Sequence, residues 1–253
     1  MDEFDSFPWI TFILASMMLG AFLVTCPKFC VNSDPRYEST FAFIPANPKI
    51  FSFVTYIFIH GSVDHLLGNL IFLFIGGLVI EQTLGRWIYL SVFISSANIA
   101  VIFDIIGRFI SGISFSVPFI GSSGAIFGIV FVAALLKPME KMHSIFLILA
   151  ILPLIISFLF PLIGTFSANG VTLFVSPERI IILMTVVSIF IFLLFKIPTN
   201  VPLVLVLGFF LLDWLVFVLF RVVGSSSYVG HLGGVMGGII SFFIFAGPKH
   251  EKK

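Results

Sequence analysis

Apolar stretches separated by short polar, glycine- or proline-containing segments follow one another along most of the chain. Several approach the length of about 20 apolar residues that a helix needs to cross the hydrocarbon core of a bilayer. The pattern therefore predicts an all-α protein whose helices cross a membrane repeatedly. The best-bounded spans cover about 7–26, 64–81, 87–106, 122–136 and 228–246.

Three further apolar runs lie between the fourth and the last of these spans, over 144–163, 180–195 and 201–220. A turn that combines proline, asparagine and lysine separates the second run from the third. These runs bring the total to about eight candidate spans. We interpret the chain as a single membrane domain, 1–253, that ends in a basic tail at 248–253.

The composition agrees with a polytopic membrane protein. Apolar residues make up 59% of the chain, charged residues 10%, and the mean hydropathy is +1.21. A soluble domain carries about a quarter of charged residues, so this chain cannot cover a surface that faces water. The net charge is +1, without a basic cluster before the tail, which excludes nucleic acid as a partner. The lipid bilayer is the expected surrounding.

The two cysteines, Cys26 and Cys30, follow the first span. They form a disulfide if the loop faces an oxidising compartment, and otherwise remain two thiols near the interface. No further cysteine or histidine lies nearby, so the sequence predicts no metal site there. We expect no cofactor elsewhere either.

Polar side chains gather at the beginnings of three spans, and they are the types that nucleophilic hydrolysis needs. Ser123 opens the fourth span and His231 opens the last. A serine nucleophile needs a base within about 2.6–3.2 Å, and the oxyanion needs hydrogen-bond donors. His65 and Asn69 share one face of the second span and can donate, as can the backbone N–H of Ser123. We therefore predict a Ser123–His231 dyad with these three donors.

Glycines follow both predicted catalytic residues at intervals of four. Gly124 and Gly128 come after the serine, and Gly234 and Gly238 come after the histidine. This spacing lets two membrane helices approach closely, which a short serine side chain requires if it is to contact the histidine. The same spacing also occurs where helices merely pack, so the glycines alone do not indicate catalysis.

Taken together, these residues resemble the rhomboid family of intramembrane serine proteases. The blocks occur in the order found in that family. They are His60-x4-His65-x3-Asn69, Gly76-Gly77-x3-Glu81-x2-Leu84-Gly85, Gly121-x-Ser123-Gly124 and His231-x2-Gly234-x3-Gly238.

The resemblance implies a role for each matching residue. Ser123 and His231 are expected to be nucleophile and general base without a third acid, and His65, Asn69 and the Ser123 amide to form the oxyanion hole. Structural roles near the site are expected for a further group of residues: His60, Gly121, Gly124, Phe127, Gly234 and Gly238. The family often has tyrosine where this chain has Phe127, and phenylalanine can stack on the catalytic histidine without donating a hydrogen bond.

The resemblance also implies a fold and a class of substrate. The family fold is a six-helix core with a cavity open to the extracytoplasmic side. We take 201–220 as the fifth core helix and about 142–199 as an inserted helical hairpin. The basic loops favour cytoplasmic termini, as expected of a multi-pass protein of the cell membrane. Expected substrates are membrane proteins whose spans contain helix-destabilising residues.

Two other functions remain open at this point. A catalytically inactive rhomboid-like scaffold binds membrane clients without cutting them, although such relatives lose the serine or the histidine. A transporter uses broken helices, but few charges are available along a path, mainly Asp104 and Asp213.

Overall fold

A computed structural model of the chain describes residues 7–26, 34–143, 200–204, 207–208 and 227–246. The chain divides into two compact units, one formed by 1–140 with 202–253 and the other by 141–201. The second unit has nearly the bounds of the expected insertion, but 144–199 lie outside the described residues. All residues of the predicted site belong to the first unit.

The described part is mainly helical, with seven α-helices and one short two-stranded sheet. Helices α4 and α5 are long and apolar enough to cross a membrane, while α1, α6 and α7 are apolar and slightly shorter. The elements, in chain order, are α1 Trp9–Thr25, α2 Pro35–Phe41, α3 Ser52–Thr55, a 3-10 turn Tyr56–Phe58, α4 Val63–Leu84, α5 Arg86–Ser111, α6 Ser123–Leu136, β1 Lys141–His143, β2 Asn200–Pro202 and α7 Ser227–Phe245.

Helix α5 is longer than the sequence pattern indicated. The predicted span ended near residue 106, with Arg108 in the following loop, whereas the helix continues to Ser111 and ends at Gly112 with φ +68°. Arg108 can remain inside it because its guanidinium pairs with Asp104 one turn earlier, at 2.6 Å between Nε and Oδ2. Asp104 is therefore fully buried in an ion pair, unlike a charge that lines a transport path.

Two other expectations change in the described part. Residues 200–202 form β2, so the helix expected from residue 201 does not begin there, and most of 201–220 lies outside the described residues. Cys26 is disulfide-bonded, so of the two alternatives left open for the cysteines the structure has the disulfide. Cys30 lies outside the described residues.

Glu81 joins the far end of α4 to the beginning of α1. One carboxylate oxygen accepts a hydrogen bond from the backbone N–H of Ile10 at 2.8 Å, and the other accepts from the N–H and the hydroxyl of Thr11 at 2.9 and 2.8 Å. The first N–H groups of a helix have no partner within it, and a negative charge is favourable there. This buried contact fixes α1 against α4 at the end away from the predicted site.

Candidate active site

Ser123 and His231 lie in hydrogen-bond contact although 108 positions separate them. The distance from Ser123 Oγ to His231 Nε2 is 2.9 Å, and both side chains are half-buried. Ser123 is the first residue of α6, and His231 lies early in α7. Their contact therefore depends on how these two helices pack.

Glycines bring α6 and α7 together until their backbones touch. A Cβ built on Gly234 would lie 1.9 Å from the carbonyl oxygen of Gly124, and one built on Gly128 would lie 2.6 Å from the carbonyl oxygen of Gly234. One turn further along, a Cβ on Gly238 would lie 2.8 Å from the carbonyl oxygen of Gly128. No larger residue fits this interface without separating the helices, so the glycines set the approach that the short serine needs.

Phe127 fixes the plane of the histidine ring. It lies one turn after Ser123, and its ring is stacked on the imidazole of His231, with centroids 4.2 Å apart and an interplanar angle of 10°. Parallel packing at this distance restricts rotation of the imidazole about its own axis. The Nε2 atom is thereby held toward the serine.

Two donors on α4 lie beside the loop that leads into α6. Gly121 has a φ of +97°, and a Cβ there would lie 2.8 Å from His65 Nε2 and 3.7 Å from Asn69 Nδ2. Asn69 is buried, and its Nδ2 has no hydrogen-bond partner among the described residues. A buried amide without a partner costs about 1–3 kcal/mol, so this donor is available for a bound acceptor. Both side chains therefore lie close to Gly121, which comes two residues before Ser123 in the chain.

His60 contacts residues on both sides of this arrangement, Ser122 before α6 and His65 on α4. Its Nδ1–H donates to the carbonyl of Phe58 at 3.1 Å, so Nε2 is left to accept the hydroxyl of Ser122 at 3.4 Å. Its ring also makes an edge contact with His65, with centroids 5.1 Å apart. Burial, followed by the proximity of the His65 imidazole, lowers the pKa of His60 to about 3, so this histidine stays neutral.

A family model described as the rhomboid domain matches residues 47–176, slightly more than half of the chain. This chain belongs to the rhomboid family. The rhomboid is therefore an integral membrane protein with several spans, in a family of intramembrane proteases that act on membrane-protein substrates. The match includes the blocks from His60 to Ser123 and ends before His231. A comparison with curated proteins gives no match.

The structure adds residues to the surroundings of the site that the sequence did not indicate. The carbonyl of Tyr56 accepts the N–H of Gly121 at 2.9 Å, while its hydroxyl donates to the carbonyl of Ala97 at 2.8 Å. Arg108 contacts the same loop of this rhomboid through its guanidinium. Backbone contacts leave no signal in residue types, but a charged pair four positions apart inside an apolar run was an available signal.

Proposed function

We propose that this rhomboid is an active intramembrane serine endopeptidase that cleaves transmembrane-helix substrates through Ser123 and His231. The observation that carries the proposal is the 2.9 Å contact between Ser123 Oγ and His231 Nε2. An inactive scaffold would have no need for a nucleophile and a base at this distance, with a buried donor near Gly121, Asn69 Nδ2, that has no partner in the part of the chain that the structure describes.

The proposed reaction begins when Ser123 Oγ attacks the carbonyl carbon of the scissile peptide and passes its proton to His231 Nε2. The oxyanion is stabilised by the N–H of Ser123 and by the side chains of His65 and Asn69. The imidazolium then protonates the leaving amine as the C–N bond breaks. Water, deprotonated by His231, hydrolyses the acyl ester, and Ser123 regains its proton.

The proposed donors are suited to this task because their positions exist before substrate arrives. As the first residue of α6, Ser123 has an N–H without a partner in its own helix, at the positive end of the helix dipole. The loss of a single oxyanion-hole donor costs enzymes about 2.7–4 kcal/mol of transition-state stabilisation. Asn69→Ala is therefore expected to lower kcat by about 10²-fold or more.

We further propose the architecture in which this site works. It comprises one domain, 1–253, with a six-helix core, an inserted hairpin at about 142–199, and about eight spans in the cell membrane. The cavity opens to the extracytoplasmic side. A substrate helix satisfies its own peptide groups, so a scissile bond becomes accessible only where the helix unwinds. Substrates are therefore membrane proteins whose spans contain helix-destabilising residues.

Proteolysis of a single-span substrate in liposomes tests the proposal. We expect the wild type to cut it, while Ser123→Ala and His231→Ala do not. Ser91→Ala is the matched control, because the Ser91 hydroxyl only donates to the carbonyl of Trp87 on the exposed side of α5. A fluorophosphonate should label the wild type and Ser91→Ala but not Ser123→Ala. Folded wild type that takes no label and cuts nothing would favour the inactive scaffold.

A further inference from the structure

The loop that precedes Ser123 accepts hydrogen bonds from a buried arginine. We define the pre-nucleophile loop as residues 112–122, between α5 and α6. The guanidinium of Arg108 donates through Nη1 to the carbonyls of Ser114 and Val117, at 2.8 and 3.0 Å. Val117 lies six positions before Ser123, so this contact is close to the nucleophile along the chain.

The ion pair behind these contacts is almost completely withdrawn from the surface. The side chain of Arg108 is 2% exposed and that of Asp104 is fully buried. Removing two charges from water costs several kcal/mol per ion, and pairing only partly recovers it, so such a pair gives weak evidence of stabilisation. Charges inside membrane helices are by default candidates for a functional role. What distinguishes this pair is that Nη1 of its arginine donates to two carbonyls of the pre-nucleophile loop.

The other side of the loop is held by backbone hydrogen bonds to the segment between α2 and α4. Phe119 exchanges hydrogen bonds with Phe43 at 2.8 and 3.1 Å, and the carbonyl of Phe115 accepts the N–H of Ala46 at 2.9 Å. Gly121, at the end of the loop, donates to the carbonyl of Tyr56. Arg108 therefore supplies the anchor on the α5 side of a segment whose opposite side is already fixed.

We infer that Arg108, oriented by Asp104, is a positioning residue that sets the placement of Ser123 and its backbone N–H in the oxyanion hole. The inference rests on the proposed function. Arg108 acts through the pre-nucleophile loop, because its side chain does not contact the reacting atoms. A displacement of about 1 Å in a reacting group can cost about 10²-fold in rate. The guanidinium suits this role because its planar group reaches two carbonyls and a carboxylate together.

The test compares Arg108→Lys with Arg36→Lys. The first keeps a positive charge beside Asp104 but cannot hold both carbonyls and the carboxylate with a planar group. The second alters an exposed arginine that also pairs with an aspartate, Asp34, but makes no contact with the loop. Active sites are titrated by the final extent of fluorophosphonate labelling, and kcat and KM are then measured per titrated site.

We expect Arg108→Lys to lower kcat per titrated site by about 10- to 100-fold, with KM changed by less than about threefold. The rate constant of labelling should fall with kcat. Arg36→Lys should behave as the wild type. A purely structural role would instead reduce the number of titrated sites and leave kcat per site at the wild-type value, and that result would overturn the inference.

Asp104→Asn is the second variant in case the lysine variant does not fold. It keeps an oxygen for Nε of Arg108 but removes the opposing charge, so the guanidinium is less firmly oriented, and kcat per site should again fall. A wild-type kcat per site in this variant would overturn the inference while leaving the protease intact. Wild type that neither takes label nor cuts substrate would contradict the proposed function itself, and the positioning role with it.

Discussion

A close approach of α6 and α7 lies next to the proposed dyad, and filling it should abolish the proposed protease activity without removing either Ser123 or His231. In Gly234→Ala, the new methyl carbon would lie 1.9 Å from the carbonyl oxygen of Gly124, whereas such contacts are practically never shorter than 3.0 Å. The neighbouring atom belongs to the backbone and cannot rotate away. The two helices must therefore separate by roughly 1 Å.

That separation acts directly on the catalytic distance. Ser123 and His231 lie on the two helices that move apart, so their present 2.9 Å contact would lengthen to roughly 4 Å, beyond hydrogen-bond range. Misplacement on this scale costs about 10²-fold in rate. Overpacking should also lower the free energy of unfolding by about 1–3 kcal/mol. Activity should therefore fall further than stability alone explains.

The assay is liposome proteolysis of a single-span substrate, expressed per folded protein. The control is Gly20→Ala on α1, where an added Cβ would meet no atom within 4 Å. The control should keep its activity, while Gly234→Ala should lose about 99% of it at temperatures where both are folded. A folded Gly234→Ala protein with wild-type kcat would refute the argument that helix contact sets the dyad distance.

Three further substitutions probe the surroundings of the dyad. Gly121→Ala adds a Cβ 2.7 Å from the ring of His65 at a φ of +97°, so kcat should fall about 10²-fold, and unchanged kcat would contradict the proposed oxyanion hole. Phe127→Leu removes the ring stacked on His231, a stacking interaction of about 0.5–1.5 kcal/mol, so kcat should fall about 2- to 12-fold. Phe127→Tyr keeps an aromatic ring at this position and should keep the wild-type kcat. Glu81→Gln removes a charge that accepts three hydrogen bonds at the start of α1; unfolding in detergent should show a loss of about 2 kcal/mol, and an unchanged midpoint would argue against that role.

Much of the helical framework follows from the sequence because the free energy of transferring a helix into a bilayer depends mainly on the side chains of that helix. The runs near 7–26 and 228–246 correspond to α1 and α7 within about two residues. The sequence also contains the residue types that serine hydrolysis needs, in motifs that follow the order of the rhomboid family. The predicted end of α5 was too early because a charged residue in an apolar run indicates a loop. In the structure Arg108 remains in the helix, since Asp104 and two loop carbonyls satisfy its guanidinium.

Only the tertiary structure decided the distances. The 2.9 Å contact between Ser123 and His231 depends on two backbones that touch at Gly124 and Gly234, and no pattern along the chain encodes the depth or rotation of one helix against another. The carbonyl of Tyr56 that holds Gly121 is equally invisible in the sequence, because every residue carries a backbone carbonyl. Local chemistry determined which groups were available, and packing between distant helices determined which of them meet.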